Sequence, residues 1–248
     1  MGHVLEIRDL VVTTGGRTVL HGISCAAPAG CLIGVLGPRG SGKSTLLRAV
    51  VGAQEIHAGQ VRVLDAPAGT PALRHRVGYA PAATSTYPDL TVLGNARYFA
   101  SLWSLSRRAA DQALAAVELS EHADRLAGAL PIPLRARLSL ACALVSAPQV
   151  LVLDEPGEGL DPVSRCDLLA RLGALAVRGT TVIVAGDDLD DATRCDRVLL
   201  LHGGRVIGDG TPDELLHRTG TTHPEEAFVR LCGTPSPRPA DRTPVEVA

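Results

Sequence analysis

The strongest chemical signal in the chain is the run Gly37-Pro38-Arg39-Gly40-Ser41-Gly42-Lys43-Ser44, followed by Thr45. It matches the spacing G-x-x-x-x-G-K-[ST], in which glycines let the backbone wrap tightly and aim successive N–H groups at phosphate oxygens. An apolar run, Cys31–Leu36, precedes the loop and a helix-like segment, Lys43–Val51, follows it. The start of that helix adds roughly half a positive charge beside a bound phosphate. Lys43 is placed to reach the terminal phosphates of a nucleoside triphosphate, the Ser44 hydroxyl to ligate Mg²⁺, and Thr45 to support the first phosphate. Arg39 reads equally as a phosphate contact or as a solvated loop side chain. Composition also isolates Lys43. The chain has 24 Lys+Arg, and Lys43 is its single lysine. A compact ammonium enters a phosphate pocket in a way that a planar guanidinium does not.

A second element supplies acid groups. Val150-Leu151-Val152-Leu153-Asp154-Glu155 is an apolar strand ending in two carboxylates. Burial of the strand brings its end beside the phosphate loop. Asp154 then holds Mg²⁺, directly or through water, and Glu155 polarises an attacking water.

Positioning these groups requires alternating strands and helices. Strand patterns occur at 4–12, 19–25, 31–36, 60–64, 76–80, 150–153, 181–185, 197–201 and 205–207. Helical spacing marks 43–51, 91–105, 107–119, 135–145, 163–177, 212–217 and 225–231. The expected fold is α/β: a parallel sheet core, an N-terminal antiparallel β region and an inserted helical subdomain at about 83–146. One cassette is expected over residues 1–233, and a Pro-rich polar tail, 234–248, is expected to be disordered. With 248 residues, net charge −2 and no run of 18 apolar residues, the composition points to a globular protein that neither crosses a membrane nor binds nucleic acid. The six cysteines form no CxxC pair and read as reduced thiols. The histidines show no metal-ligand spacing with cysteine or carboxylates.

With Glu155-Pro156 and Gly159-Leu160-Asp161-Pro162 added to the two motifs, the chain resembles the ATP-binding subunits of ABC transporters from about Val4 to Gly233. Tyr87–Val92, Arg137–Ala141 and Cys195–Arg205 resemble the drug- and polysaccharide-export branch. The resemblance implies a P-loop NTPase fold with a RecA-like sheet, ATP and Mg²⁺ as ligands, and Glu155 as the catalytic carboxylate. It also implies a second cassette in a head-to-tail dimer, a separate transmembrane permease, and a cytoplasmic location on the inner face of the plasma membrane. Tyr87, Tyr98, Phe99 and Trp103 fall where the family borders its permease groove, although ordinary helix packing explains them as well. Asp161 reads either as part of the loop contacting the second cassette or as a helix N-cap.

Four family features are missing. The glycine-rich signature loop is replaced by Leu130-Pro131-Ile132-Pro133-Leu134, and no glycine occurs between Gly128 and Gly157. Two prolines remove two backbone donors, while the following helix can still form. Ala82 stands where a glutamine should follow Tyr79-Ala80-Pro81. Asp187 stands where a switch histidine should follow 181–185. At about 4 Å and an effective dielectric near 20, such a carboxylate repels a phosphate charge by roughly 4 kcal/mol before screening. Thr14 replaces the adenine-stacking aromatic, and no aromatic residue precedes Tyr79. Lost stacking costs about 1–3 kcal/mol by analogy with nucleic-acid systems. The expectation is retained ATP–Mg²⁺ binding with impaired hydrolysis. Two readings compete: the ATPase subunit of an exporter, and a pseudo-ATPase that acts as a nucleotide-gated scaffold. A soluble P-loop kinase fits the Gly159–Pro162 match poorly.

Overall fold

The β strands sort their apolar residues by period. The computed structural model describes residues 3–82 and 85–233. The expected disordered tail, 234–248, lies outside the described residues, as do positions 83–84 at the edge of the expected helical insert.

In chain order the elements are β1 (His3–Thr14), β2 (Arg17–Pro28), β3 (Leu32–Leu36), α1 (Lys43–Val50), β4 (Ala58–Val63), β5 (Ala66–Pro67) and β6 (Val77–Ala80). Three helices follow, α2 (Val92–Leu102), α3 (Arg107–Ala116) and α4 (Ile132–Leu144). The chain then forms β7 (Val150–Asp154), α5 (Pro162–Val177), β8 (Thr181–Gly186), β9 (Arg197–His202), β10 (Arg205–Gly210), α6 (Pro212–Thr219) and α7 (Pro224–Gly233).

Two sheets result. A four-stranded antiparallel sheet has the order β2-β1-β4-β5, and a six-stranded sheet has the order β10-β9-β3-β8-β7-β6. In the larger sheet β9, β3, β8, β7 and β6 run parallel, whereas β10 returns antiparallel to β9. The purely parallel expectation fails only at this edge. Gly203 and Gly204 make the whole connection, and a connection that short can only reverse the chain.

Every residue of β3 and β7 is buried, which explains their unbroken apolar character. Alternate residues serve opposite faces. Ile33, Val35, Val150 and Val152 pack against α1 and the antiparallel sheet, together with Leu46, Leu47 and Leu10. Leu32, Leu36, Leu151 and Leu153 pack on the other side with the helices, together with Val92, Leu114, Leu138 and Leu172. The inserted helices therefore share one continuous apolar cluster with the sheet.

Helix starts follow local chemistry. The Thr91 hydroxyl accepts from Gly94 N at 2.9 Å to cap α2. A capping box of Thr211 and Glu214 opens α6. Helix α4 begins at Ile132, earlier than the 135 read from periodicity, because prolines in a first turn have no helical N–H to lose. The two-residue β5 was not foreseen; it is too short to carry a periodic signal.

Candidate functional site

Strand register brings the site together. Leu36 at the end of β3 pairs with Gly186 at the end of β8, and Ala185 of β8 pairs with Asp154 at the end of β7. Three adjacent parallel strands thus end at one level, and the crevice beyond such ends is where α/β sheets take ligands. The phosphate loop leaves β3 there, Asp187 follows β8, and Glu155 follows β7.

The loop is sterically defined. A Cβ on Gly37 would lie 2.1 Å from the Leu201 carbonyl oxygen, so no side chain fits. Gly42 adopts φ +104° with a virtual Cβ 2.7 Å from Leu20, which only glycine tolerates. Gly204 N donates to Ser41 O at 3.0 Å and anchors the loop to the β9–β10 hairpin. Gly42 then caps α1.

Lys43 is 3% exposed and folded back into this loop. Its Nζ donates to Gly37 O at 2.9 Å and to Pro38 O at 3.2 Å, and lies 3.3 Å from Glu155 Oε1. The ammonium is thereby held over the loop mouth with its charge balanced from β7. Ser44 Oγ donates to Asp154 Oδ1 at 3.0 Å. Asp154 is 2% exposed, and its Oδ2 is buried without a hydrogen-bond partner, as is Ser41 Oγ. Burial is the main cause that pushes the Asp154 carboxyl above its ordinary range; the Ser44 hydrogen bond opposes it and the Glu155 charge adds to it.

An orphaned carboxylate oxygen beside a hydroxyl is a hard oxygen donor set, so Ser44 and Asp154 fit a Mg²⁺ ion. Glu155 adopts φ +50°, a left-handed conformation that costs a non-glycine residue about 1–2 kcal/mol. Its backbone N–H donates to Ala185 O at 3.1 Å, which holds the residue there. Thr45, the third residue of α1, is half-buried.

Comparison with known proteins agrees with this arrangement. A family model described as ABC transporter matches residues 20–158, from β2 through Glu155 to Glu158. The chain belongs to the ABC transporter family. Over 219 residues it is 35% identical to the Nod factor export ATP-binding protein I of Burkholderia orbicola, covering 86% of this chain and 72% of that protein. It is 32% identical over 239 residues to the probable multidrug ABC transporter ATP-binding protein YbhF of Escherichia coli, covering 92% of this chain but only 41% of that protein. Among solved structures, CbiO1 of Clostridium perfringens, part of the transporter complex CbiONQ, superposes with a TM-score of 0.80 at 27% identity, over 88% of this chain and 92% of that one. An ATP-binding subunit of an ABC transporter shares the fold with a TM-score of 0.81 at 24% identity, over 92% of this chain and 99% of that one.

In this ATP-binding cassette the departures from the family pattern have defined surroundings. Pro131 precedes α4, Ile132 is exposed, and the first helical hydrogen bond runs from Arg135 N to Pro131 O at 3.0 Å. The helix forms as expected, while Pro131 and Pro133 contribute no N–H at its start. Ala82 lines a cleft of about 320 Å³ together with Asp154, Glu155 and Arg135 of α4. An alanine there leaves space beside the two carboxylates and supplies no side-chain oxygen to it.

Asp187 is not the bare repulsive carboxylate anticipated from its position. Arg39 Nε lies 3.2 Å from its Oδ2, and Arg39 Nη2 donates to Glu158 Oε1 at 2.8 Å. Arg39, read as either phosphate contact or solvated side chain, is paired with acids from two other segments. Asp161 caps α5, accepting from Val163 N and Ser164 N at 3.0 Å each. A groove of about 500 Å³ is lined by Val51, Leu73, Tyr79, Phe99 and Trp103. Tyr87 and Tyr98 stack edge-on with ring centroids 4.8 Å apart.

Sequence reading missed one charged network. Arg171 of α5 donates to Glu118 at 2.8 Å and to Asp167 at 3.0 Å, and Arg137 of α4 donates to Asp167 at 2.7 Å. It ties the insert to α5, just downstream of Glu155. The spacing of Asp167 and Arg171 was the only part visible in sequence.

Proposed function

We propose that this cassette is the ATP-binding subunit of an export-type ABC transporter, one that binds ATP–Mg²⁺ tightly enough to switch state but turns it over slowly. The observation that carries the reading is the joint placement of Lys43, Ser44, Asp154 and Glu155 at the loop, in a chain whose own signature segment has two of its N–H donors removed by proline. Lys43 and the loop N–H groups bind the phosphate chain. Ser44 and Asp154 hold the divalent ion, whose charge offsets that of the terminal phosphates when it is bound. Glu155 orients a water toward the terminal phosphate.

Export as the direction of transport is supported by the names of the relatives, Nod factor export ATP-binding protein I and a probable multidrug transporter protein. No helix among the described residues is long and apolar enough to cross a membrane; in this reading a separate permease supplies the channel. The groove beside Phe99 and Trp103 suits an apolar segment of such a partner. The cassette then works in the cytoplasm, peripheral on the inner face of the plasma membrane. A head-to-tail partner with a glycine-rich signature would complete its site better than a second copy of this chain.

Proline in the signature segment also favours a second reading, a nucleotide-gated scaffold with no turnover. ATP binding and hydrolysis by the purified chain, beside Lys43→Ala, separate the two. Slow, Lys43-dependent turnover supports the subunit reading. Lys43-dependent binding without turnover supports the scaffold. Absence of Lys43-dependent binding removes both.

A further inference from the structure

Arg39 brings a second cation-and-acid arrangement to the site, beyond Lys43–Glu155. Its guanidinium reaches Asp187 Oδ2 at 3.2 Å and Glu158 Oε1 at 2.8 Å. All three side chains are exposed, so these pairs contribute little to folding. Their location gives them a different significance.

Arg39 lies on the loop between Pro38 and Gly40. Asp187 directly follows β8, whose last residue, Gly186, accepts from Gly37 N at 3.3 Å. Glu158 sits one turn beyond Glu155, with its N–H donating to Glu155 O at 3.1 Å. Four carboxylates, Asp154, Glu155, Glu158 and Asp187, therefore collect at the end of the sheet where phosphate must bind. Lys43 is already committed to Glu155, and Arg39 is paired with two of the remaining acids.

A nucleoside diphosphate places less negative charge here than a triphosphate. Without Arg39, the added terminal phosphate would meet an Asp187 carboxylate with no neutralising partner, and like charges repel. We propose that Arg39 and Asp187 form a compensating pair that sets this cassette's preference for nucleoside triphosphate over diphosphate. Arg39 screens the carboxylate that replaces the family's histidine, and Asp187 keeps the guanidinium beside the terminal-phosphate position. The inference rests on the nucleotide-binding reading of the loop.

The test is equilibrium titration of the full chain with fluorescent ATP and ADP analogues in Mg²⁺. Wild type is compared with Lys43→Ala, Arg39→Ala, Asp187→Asn and the Arg39→Ala/Asp187→Asn double variant. The expected result is a loss of about tenfold or more in triphosphate affinity for Arg39→Ala, the order of one lost charge-assisted contact. Its diphosphate affinity should change by less than about threefold. Adding Asp187→Asn should return a measurable part of the loss, because one of the two carboxylates that Arg39 pairs with is then neutral. Equal losses for both nucleotides, or additive losses in the double variant, would overturn the proposal while leaving nucleotide binding intact. Wild type without Lys43-dependent binding would overturn the binding reading itself, and the proposal with it.

Discussion

Lys43 Nζ lies 3.3 Å from Glu155 Oε1, so the single lysine of the chain is paired with the carboxylate that directly follows β7. The two belong to different strand connections and meet because β3 and β7 flank β8. The pair holds the ammonium over the loop before phosphate arrives. Replacing Lys43 by alanine removes that cation and leaves Glu155 facing incoming phosphate. Lys43→Ala should weaken ATP binding by about 10- to 100-fold, the range of one charged hydrogen bond. Titration with a fluorescent ATP analogue checks it, and unchanged affinity would sink the assignment.

Asp154 offers a buried oxygen with no protein partner. Asp154→Asn keeps the shape and removes the charge that a divalent ion needs. Mg²⁺ should then cease to strengthen nucleotide binding, while metal-free binding stays within about threefold of wild type or improves, since desolvation of a carboxylate is relieved. Titrations with and without excess chelator measure the difference. A Mg²⁺ effect of wild-type size in the variant would rule out Asp154 as a ligand.

The signature segment gives a test by repair. Pro131→Ser, Ile132→Gly and Pro133→Gly together return two N–H donors and remove an exposed apolar side chain. Turnover should rise at least about tenfold, the scale expected for regaining a donor to a developing phosphate charge. The rate is read at saturating ATP and raised protein concentration, so that any dimer forms. A variant that binds ATP normally yet hydrolyses no faster would place the block elsewhere, at Ala82 or Asp187.

Asp191 predicts a pH dependence of stability. Burial first, then the neighbouring Asp188 charge, raises its carboxyl to about 6; Arg165 and Arg194 oppose the shift, and Asp187 adds slightly to it. The folded state therefore holds a proton that the unfolded state has released. The contribution of Asp191 is fully present below its unfolded value near 4 and is lost as pH rises through 6. Partial exposure reduces the effect to roughly 1 kcal/mol. Asp191→Asn should raise Tm by about 2–4 °C at pH 8 and change it little at pH 4. Thermal melts at the two pH values decide it, and an equal shift at both would count against this origin.

Local chemistry made much of the chain legible. The phosphate loop could be read because glycine spacing fixes backbone geometry within a few residues. The buried strands β3 and β7 could be read because an apolar run of that length, bounded by glycine or by acid, has few alternatives. Asp161 was ambiguous in sequence, and the structure shows its capping role, since a cap depends on where the helix begins.

The ligand expected of residues 37–45 and 150–155 was thus legible in the sequence alone, because the atoms that define each motif lie close together along the chain. Which charges neighbour them was decided by strand order. Arg39 meets Asp187 and Glu158, and Arg171 meets Glu118, across long loops whose closure no local pattern encodes. The parallel order β3-β8-β7 delivers Asp187 and Glu155 to one crevice. A one-place change in that order would carry a strand about 4.8 Å away and leave Arg39 without its acids. The apparent loss of the histidine becomes a charge pair only when the sheet is assembled, because electrostatic partnership depends on distance in space and not on separation along the chain.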